Sequence, residues 1–262
     1  MLPLWKHLPR PLIIAHRGAS HDAPENTLAA FRLAVRQHAE AVELDAKLSR
    51  DGRIVVMHDN TVDRTTDGHG AVRHMDWAAL RALSAGGQPG DPETAIPLLE
   101  DVLRAVTPDL LVNIELTNYA APLDALPVKV AELIATLGVA DRVWVSSFNP
   151  LTLLRFARRL PEVPVGFLVD VRRPWLYRFF HRLVPHALVE PHRALVTPEA
   201  VRRWHAAGKA VAVYTVNDAA EMERLFAWGV DGIYTDNPRL AREVREAFLA
   251  RAAPAGSPSP GG

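Results

Sequence analysis

Residues 13–58 read IIAHRGASHDAPENTLAAFRLAVRQHAEAVELDAKLSRDGRIVVMH. Two apolar runs in this stretch end in a histidine, His16 and His58, and the first is followed at once by Arg17 and Gly18. Between them, Leu28, Phe31, Leu33 and Val35 give a helical stripe opened by Pro24-Glu25-Asn26, with Asn26 as the expected N-cap. Ala41 to Leu48 alternates as a strand does and carries Glu43 and Asp45. Asp51-Gly52 is a turn signal, after which Ile54 to Met57 pairs back as a buried strand. Histidines, an arginine and carboxylates gathered on strands and at strand ends are what a parallel α/β barrel uses for chemistry.

The remainder supplies the units needed to close such a barrel. Asn60 to Pro97 is poor in apolar runs and rich in Gly and Pro, and reads as an insertion with one short helix near Met75 to Leu83. From Leu98 onward, strands expected at 110–116, 142–147, 163–169, 187–190, 209–216 and 232–235 alternate with helices expected at 99–106, 126–137, 150–160, 175–184, 198–207, 218–228 and 238–252. With the Glu43/His58 hairpin taken as one barrel position, eight βα units result. One catalytic domain is expected over 1–253, with the insertion at about 61–97 and a disordered, low-complexity tail over 254–262.

Composition narrows the function classes. The chain has 262 residues, 48% hydrophobic and 23% charged, enough for a large core. Lys+Arg and Asp+Glu are each 30, so no net charge points to nucleic acid. With no Cys, disulfides and thiolate metal sites are excluded. Pro, Lys, His and Arg interrupt the N-terminal apolar residues, and no stretch approaches a membrane span, so a cytoplasmic protein is expected. The sequence leaves oligomeric state open.

Glu43 and Asp45 are two apart on a strand and share a face. Two carboxylates inside a barrel mouth call for positive charge between them. A divalent cation supplies it, and oxygen-only ligands favour Mg²⁺ or Ca²⁺; the alternative is a salt-bridged pair using Lys47 on the same face. Glu115, closing the next long strand, offers a third oxygen ligand. His16 and His58 suit proton transfer in both directions, and Arg17 matches phosphate oxygens with its planar fork. Metal, arginine and two histidines together describe phosphodiester cleavage.

HRG, PENT, VELDAKLSRDG, VMHDNTVDRTT and NIEL, in this order, resemble the glycerophosphodiester phosphodiesterase family, and SSFNP, EPH, VYTVND and GIYTDNP extend the likeness over about residues 11–245. The resemblance implies a TIM (β/α)8 barrel with a small insertion after the second strand. It implies Glu43, Asp45 and Glu115 as metal ligands, His16 and His58 as the acid–base pair, and Arg17 at the phosphate. The implied substrate is a small glycerophosphodiester, split to an alcohol and glycerol 3-phosphate. Two departures stand out: Thr117 replaces a lysine usual in the family, with Lys47 the candidate substitute, and Tyr214 replaces a tryptophan while keeping an aromatic platform. Asn217 and Asp236 match family positions expected to support the mouth. The alternatives are a lysophospholipase D working at a membrane surface and a barrel that binds phosphodiesters without turnover.

The segment RRPWLYRFFHRLV, residues 172–184, is basic and aromatic. The expected arrangement is an outer barrel helix packing Trp175, Leu176, Phe179, Phe180 and Leu183 on the sheet, with Arg178, His181 and Arg182 on the other side. Membrane contact is the less favoured reading. His21, His69 and His74 are expected to be solvated loop histidines.

Overall fold

A computed structural model describes residues 3–88 and 91–252; the tail expected to be disordered lies outside the described residues. Eight parallel strands close into a barrel: β1 (Leu12–Ala15), β2 (Ala41–Leu48), β4 (Leu111–Leu116), β5 (Val143–Ser147), β6 (Val165–Val169), β7 (Leu188–Pro191), β8 (Ala210–Val213) and β9 (Gly232–Thr235). Closure is the parallel pairing of β1 with both β2 and β9. A ninth strand, β3 (Ile54–Val56), pairs antiparallel with β2, as the turn at Asp51-Gly52 implied. The expected TIM barrel is therefore what forms.

Alternation along each strand separates two cores. Outward-facing Val42, Leu44, Ala46, Val112, Ile114 and Val145 meet the helices, including α1 (Leu28–Arg36), α4 (Leu126–Leu137) and α5 (Pro150–Arg159). Inside, the strand starts bring Leu12, Ala41, Leu111, Leu188 and Ala210 together at the barrel floor. Trp5, 1% exposed, enters this floor from the N-terminal turn Pro3–Trp5 and packs edge-on against Trp144 with centroids 5.5 Å apart. An apolar floor leaves polar interior side chains only toward the C-terminal ends of the strands.

The chain between β3 and α3 (Leu99–Ala105) has a small core of its own, in which Val62, Val72, Leu80 and Ile96 pack against Val55 and Met57. It contains a 3-10 turn, Val72–His74, and α2 (Trp77–Arg81). Around the barrel the remaining helices are α6 (Pro174–Phe180), α7 (Pro198–Ala206), α8 (Ala219–Ala227) and α9 (Pro238–Ala252). Their starts follow capping chemistry: Thr197 accepts from Ala200 N–H, and Asp218 from Glu221 N–H. Among the described residues, no helix is long and apolar enough to cross a membrane.

Two expectations are corrected. Asn26 is not the cap of α1; Thr27 is, accepting from Ala30 N–H, because Asn26 has φ +59° and an N-cap needs extended backbone. The packing expected for α6 fails as well. Trp175, Phe179 and Leu183 are 50, 73 and 64% exposed, while Leu176, Tyr177 and Phe180 are only partly covered. The helix has too few turns to bury an apolar surface that runs round most of its circumference, so only one side meets the barrel.

Candidate functional site

Strand register assembles the site. In the β2–β4 pairing, Glu43 lies beside Asn113 and Asp45 beside Glu115, so alternate residues of neighbouring strands point into the barrel at two successive heights. Ligand oxygens of Glu43, Asp45 and Glu115 all fall within 4.8 Å of one another. Glu43 and Asp45 are buried, at 3% and 1% exposure. Burial first, and then the neighbouring carboxylates Asp45 and Glu115, push the Glu43 carboxyl well above its ordinary range. Burial and Asp45 likewise push Glu115 up to about 8.

This crowding is partly relieved by fixed donors. The Arg17 backbone N–H reaches Glu43 Oε2 at 2.9 Å, and the Arg17 guanidinium lies 3.4 Å from Asp45 Oδ2. Asn26 donates to Asp45 Oδ2 at 2.8 Å, and Tyr119 donates to Glu115 Oε1 at 2.7 Å. Glu43 Oε1, however, is buried with no hydrogen-bond partner among the described residues. An unpartnered carboxylate oxygen among three crowded carboxylates fits one divalent cation of the hard, oxygen-liking kind.

The turn after β1 places His16 and Arg17. Arg17 has φ +57°, and Gly18 follows at φ +83° with no room for a side chain against Ala30. His16 Nδ1 lies 2.7 Å from Asp236 Oδ1, just beyond β9, and His58 Nδ1 lies 2.6 Å from Asp59 Oδ1. Burial raises the Asp236 carboxyl, but hydrogen bonds from His16, Asn217 and Ser20 outweigh it and hold it at about 2. Arg64 is the main influence that holds Asp59 at about 2. An ionised carboxylate only accepts, so each Nδ1 carries a proton and the neutral ring keeps Nε2 as its acceptor. Nε2 of neither ring has a hydrogen-bond partner among the described residues.

His16, Arg17, Glu43, His58, Glu115 and Tyr214 line one cavity of about 410 Å³ at the C-terminal end of the barrel. Tyr214 is fixed by its hydroxyl, which donates to Val169 O at 2.9 Å, and its ring packs edge-on against Phe148. Lys47 and Thr117 are not among the residues lining this cavity. They line a separate cavity of about 380 Å³; Lys47 Nζ donates to His58 O at 2.7 Å, and the Thr117 hydroxyl to Ala46 O at 2.8 Å.

Several contributors carry no role in the sequence reading. Glu25 accepts from Arg17 at 2.9 Å and from both Arg64 terminal nitrogens at 2.8 Å, and Arg64 Nε reaches Asp59 at 2.6 Å. This chain of ion pairs ties the loop after β1 to the His58 loop. Glu25 and Asn26 belong to PENT, and Asp59 and Arg64 to HDNTVDR, so the motifs held the signal while partner assignment needed the fold. Tyr119 has no comparable mark. Asn217 and Asp236, expected at the mouth, meet at 2.6 Å there.

The model of the glycerophosphoryl diester phosphodiesterase family matches residues 16–240. A glycerophosphodiester phosphodiesterase of Caldanaerobacter subterraneus is 36% identical over 87% of this chain and 95% of its own length. One of Bacillus altitudinis is 36% identical over 89% and 98%. Among solved structures, an Oleispira antarctica phosphodiesterase in complex with the product sn-glycerol-3-phosphate superposes with TM-score 0.83 at 28% identity, covering 93% of this chain and 99% of that one.

Proposed function

The chain belongs to the glycerophosphoryl diester phosphodiesterase family and is an enzyme of that class; we propose that it hydrolyses glycerophosphodiesters to an alcohol and glycerol 3-phosphate, using a divalent cation and two histidines. The observation that carries this reading is that Glu43 and Glu115, clustered with the buried Asp45, open into one cavity with two carboxylate-backed histidines.

Glu43, Asp45 and Glu115 would hold Mg²⁺ or Ca²⁺, which when bound supplies positive charge to the phosphate oxygens. Arg17 adds a second positive charge at the same wall and is held in place by Glu25. Of the sequence candidates for phosphate contact, Arg17, which lines the cavity, is favoured over Lys47 and Thr117, which do not and whose polar atoms bond backbone carbonyls.

Proton transfer runs through the two Nε2 atoms. A groove of about 850 Å³ opens beside His58, Tyr119, Phe148 and Leu168, whereas His16 borders a smaller one of about 540 Å³ with Ser20, Asn217 and Asp236. The leaving alcohol fits the wider side. His58 is therefore assigned as the acid that protonates the leaving alkoxide, and His16 as the base that takes the proton of the attacking oxygen, whether of water or of the glycerol. Asp236 keeps the His16 proton on Nδ1, so that its Nε2 is free to accept, and Asp59, accepting from Nδ1, stabilises the His58 ring when it carries the second proton on Nε2 that a general acid must hold.

The test is release of glycerol 3-phosphate from glycerophosphocholine and glycerophosphoethanolamine with Mg²⁺, with Ca²⁺ and with chelator. Turnover that disappears with chelator and in His58→Ala is expected. Full turnover in chelator would remove the cation from the reading.

A further inference from the structure

We propose that the exposed face of α6 docks the barrel mouth onto an anionic lipid surface. Its geometry explains why the packing expected from sequence fails there. At 100° per residue, Trp175, Phe179 and Leu183 fall on one stripe, with Arg178 and Arg182 along its flank. All five are exposed, whereas Leu176, Tyr177 and Phe180, on the adjoining side, are partly covered. Backbone bonds from His181 N–H to Tyr177 O and from Val184 N–H to Phe180 O carry the helical turn on past Phe180, so the stripe continues to Leu183. Trp175 and Phe179 pack on each other with centroids 6.3 Å apart, forming one apolar knob.

Charge selects the occupant. Arg172, Arg173, Arg178 and Arg182 surround the knob, and no Asp or Glu occurs from Val171 to Leu183, in a chain whose overall charge is zero. None of these four guanidiniums makes an ion pair among the described residues, whereas those of Arg10, Arg159, Arg193, Arg224 and Arg251 do. Asp170, at the end of β6, is instead bound to the Arg172 backbone N–H. Apolar and aromatic side chains projecting among arginines match an interface where hydrocarbon lies beneath anionic headgroups. A second copy of the chain fits less well, because a two-fold contact would bring two such arginine clusters face to face.

The same face adjoins the reaction. One groove of about 850 Å³ runs from His58, Tyr119 and Phe148 to Arg172, Arg173 and Trp175. Docking α6 would therefore turn the open side of the site toward the headgroup layer. Binding to lipid can be read without turnover, so its failure and that of the hydrolytic reading are distinguishable.

The test is sedimentation of the full chain with vesicles of phosphatidylcholine alone or mixed equally with phosphatidylglycerol. Association with the mixed vesicles only, reversed by salt, is the expected result. Each arginine near an anionic surface is worth about fivefold in partition, so Arg178→Glu/Arg182→Glu should weaken binding more than 10-fold. Phe179→Ser/Leu183→Ser should weaken it to a similar extent. Both variants should hydrolyse glycerophosphocholine as the parent chain does, which verifies that they fold. No sedimentation with either vesicle, or equal sedimentation of the variants, would overturn the proposal. So would a dimer of the free chain that Phe179→Ser/Leu183→Ser dissociates, because the occupant would then be a second copy.

Discussion

Asn26 clasps Asp45 with both ends of its amide: Nδ2 donates to Asp45 Oδ2 at 2.8 Å, and Oδ1 accepts the Asp45 backbone N–H at 3.2 Å. The two residues are 19 apart in sequence and both are buried. The clasp fixes the rotation of a carboxylate that faces Glu43 and Glu115. The left-handed backbone of Asn26, φ +59°, is one that asparagine tolerates better than most residues. Removing such an outer support commonly weakens a metal site about 10–100-fold. Asn26→Ala is therefore expected to raise the cation concentration needed for half-maximal turnover by that factor. Calorimetric titration of Mg²⁺ or Ca²⁺ provides the check, and an unchanged cation affinity would detach Asn26 from the site.

The two histidine–aspartate pairs have separable signatures. Asp236→Asn and Asp59→Asn put an amide where an acceptor-only carboxylate fixed the ring, so the wrong tautomer becomes accessible. Each should lower kcat about 10²–10⁴-fold with little change in KM. The roles then separate by leaving group. A p-nitrophenyl phosphodiester leaves without needing a proton, so His58→Ala and Asp59→Asn should recover much of their rate on it. His16→Ala and Asp236→Asn should remain slow on both substrate types. The opposite pattern would exchange the acid and base assignments.

Glu190 on β7 gives the barrel interior a pH dependence of its own. Its Oε1 accepts from Trp144 Nε1 at 2.9 Å and from Tyr234 OH at 2.6 Å, and its Oε2 is buried without a partner among the described residues. Burial, stronger than these hydrogen bonds, pushes the carboxyl from an ordinary 4.5 up to about 7. The folded chain thus holds this proton more tightly than the unfolded chain does. The resulting stabilisation is fully present below about pH 4.5 and is lost as pH rises through about 7. The difference corresponds to roughly 3 kcal/mol. Glu190→Gln should keep both hydrogen bonds and flatten stability across this window, leaving the variant the more stable form at pH 8. Denaturant unfolding at pH 5 and pH 8, with cation saturating, measures it; parallel pH profiles for the two chains would refute it.

Gly18 is a position where backbone geometry alone dictates the residue. It has φ +83°, and a Cβ there would lie 2.7 Å from the Ala30 carbonyl carbon in α1. That neighbour is helix backbone and cannot yield cheaply. Gly18→Ala is expected to destabilise by about 2–4 kcal/mol and to slow turnover by displacing His16 and Arg17. Gly138, at φ +67° with open space around it, is the control, and Gly138→Ala should cost about 1 kcal/mol. Thermal unfolding of both variants tests the contrast. Similar losses at the two sites would show that crowding against Ala30 contributes nothing.

Much of this protein was legible from the chain alone. The alternation of strand and helix patterns after Leu98 fixes the (β/α)8 architecture, since side-chain period and turn chemistry are local properties. Glu43 and Asp45 could be placed on one face of one strand because the strand period is two. What the tertiary structure decided lies between elements. Asn26 looked like a helix cap because Asn suits that position; a backbone turned to positive φ moved the cap to Thr27 and freed the amide for Asp45. Lys47 shares a strand face with Asp45, but its ammonium is drawn to the His58 carbonyl across the hairpin, a contact set by β2–β3 register. Trp175 and Phe179 are apolar and helical in spacing, yet which side of α6 meets the barrel depends on where the neighbouring strands run. Local sequence determines what each segment can form and which groups it carries. Only closure of the barrel brings residues as distant as His16 and Asp236 within 2.7 Å, because that contact depends on β1 pairing with β9 rather than on anything near either residue in the chain.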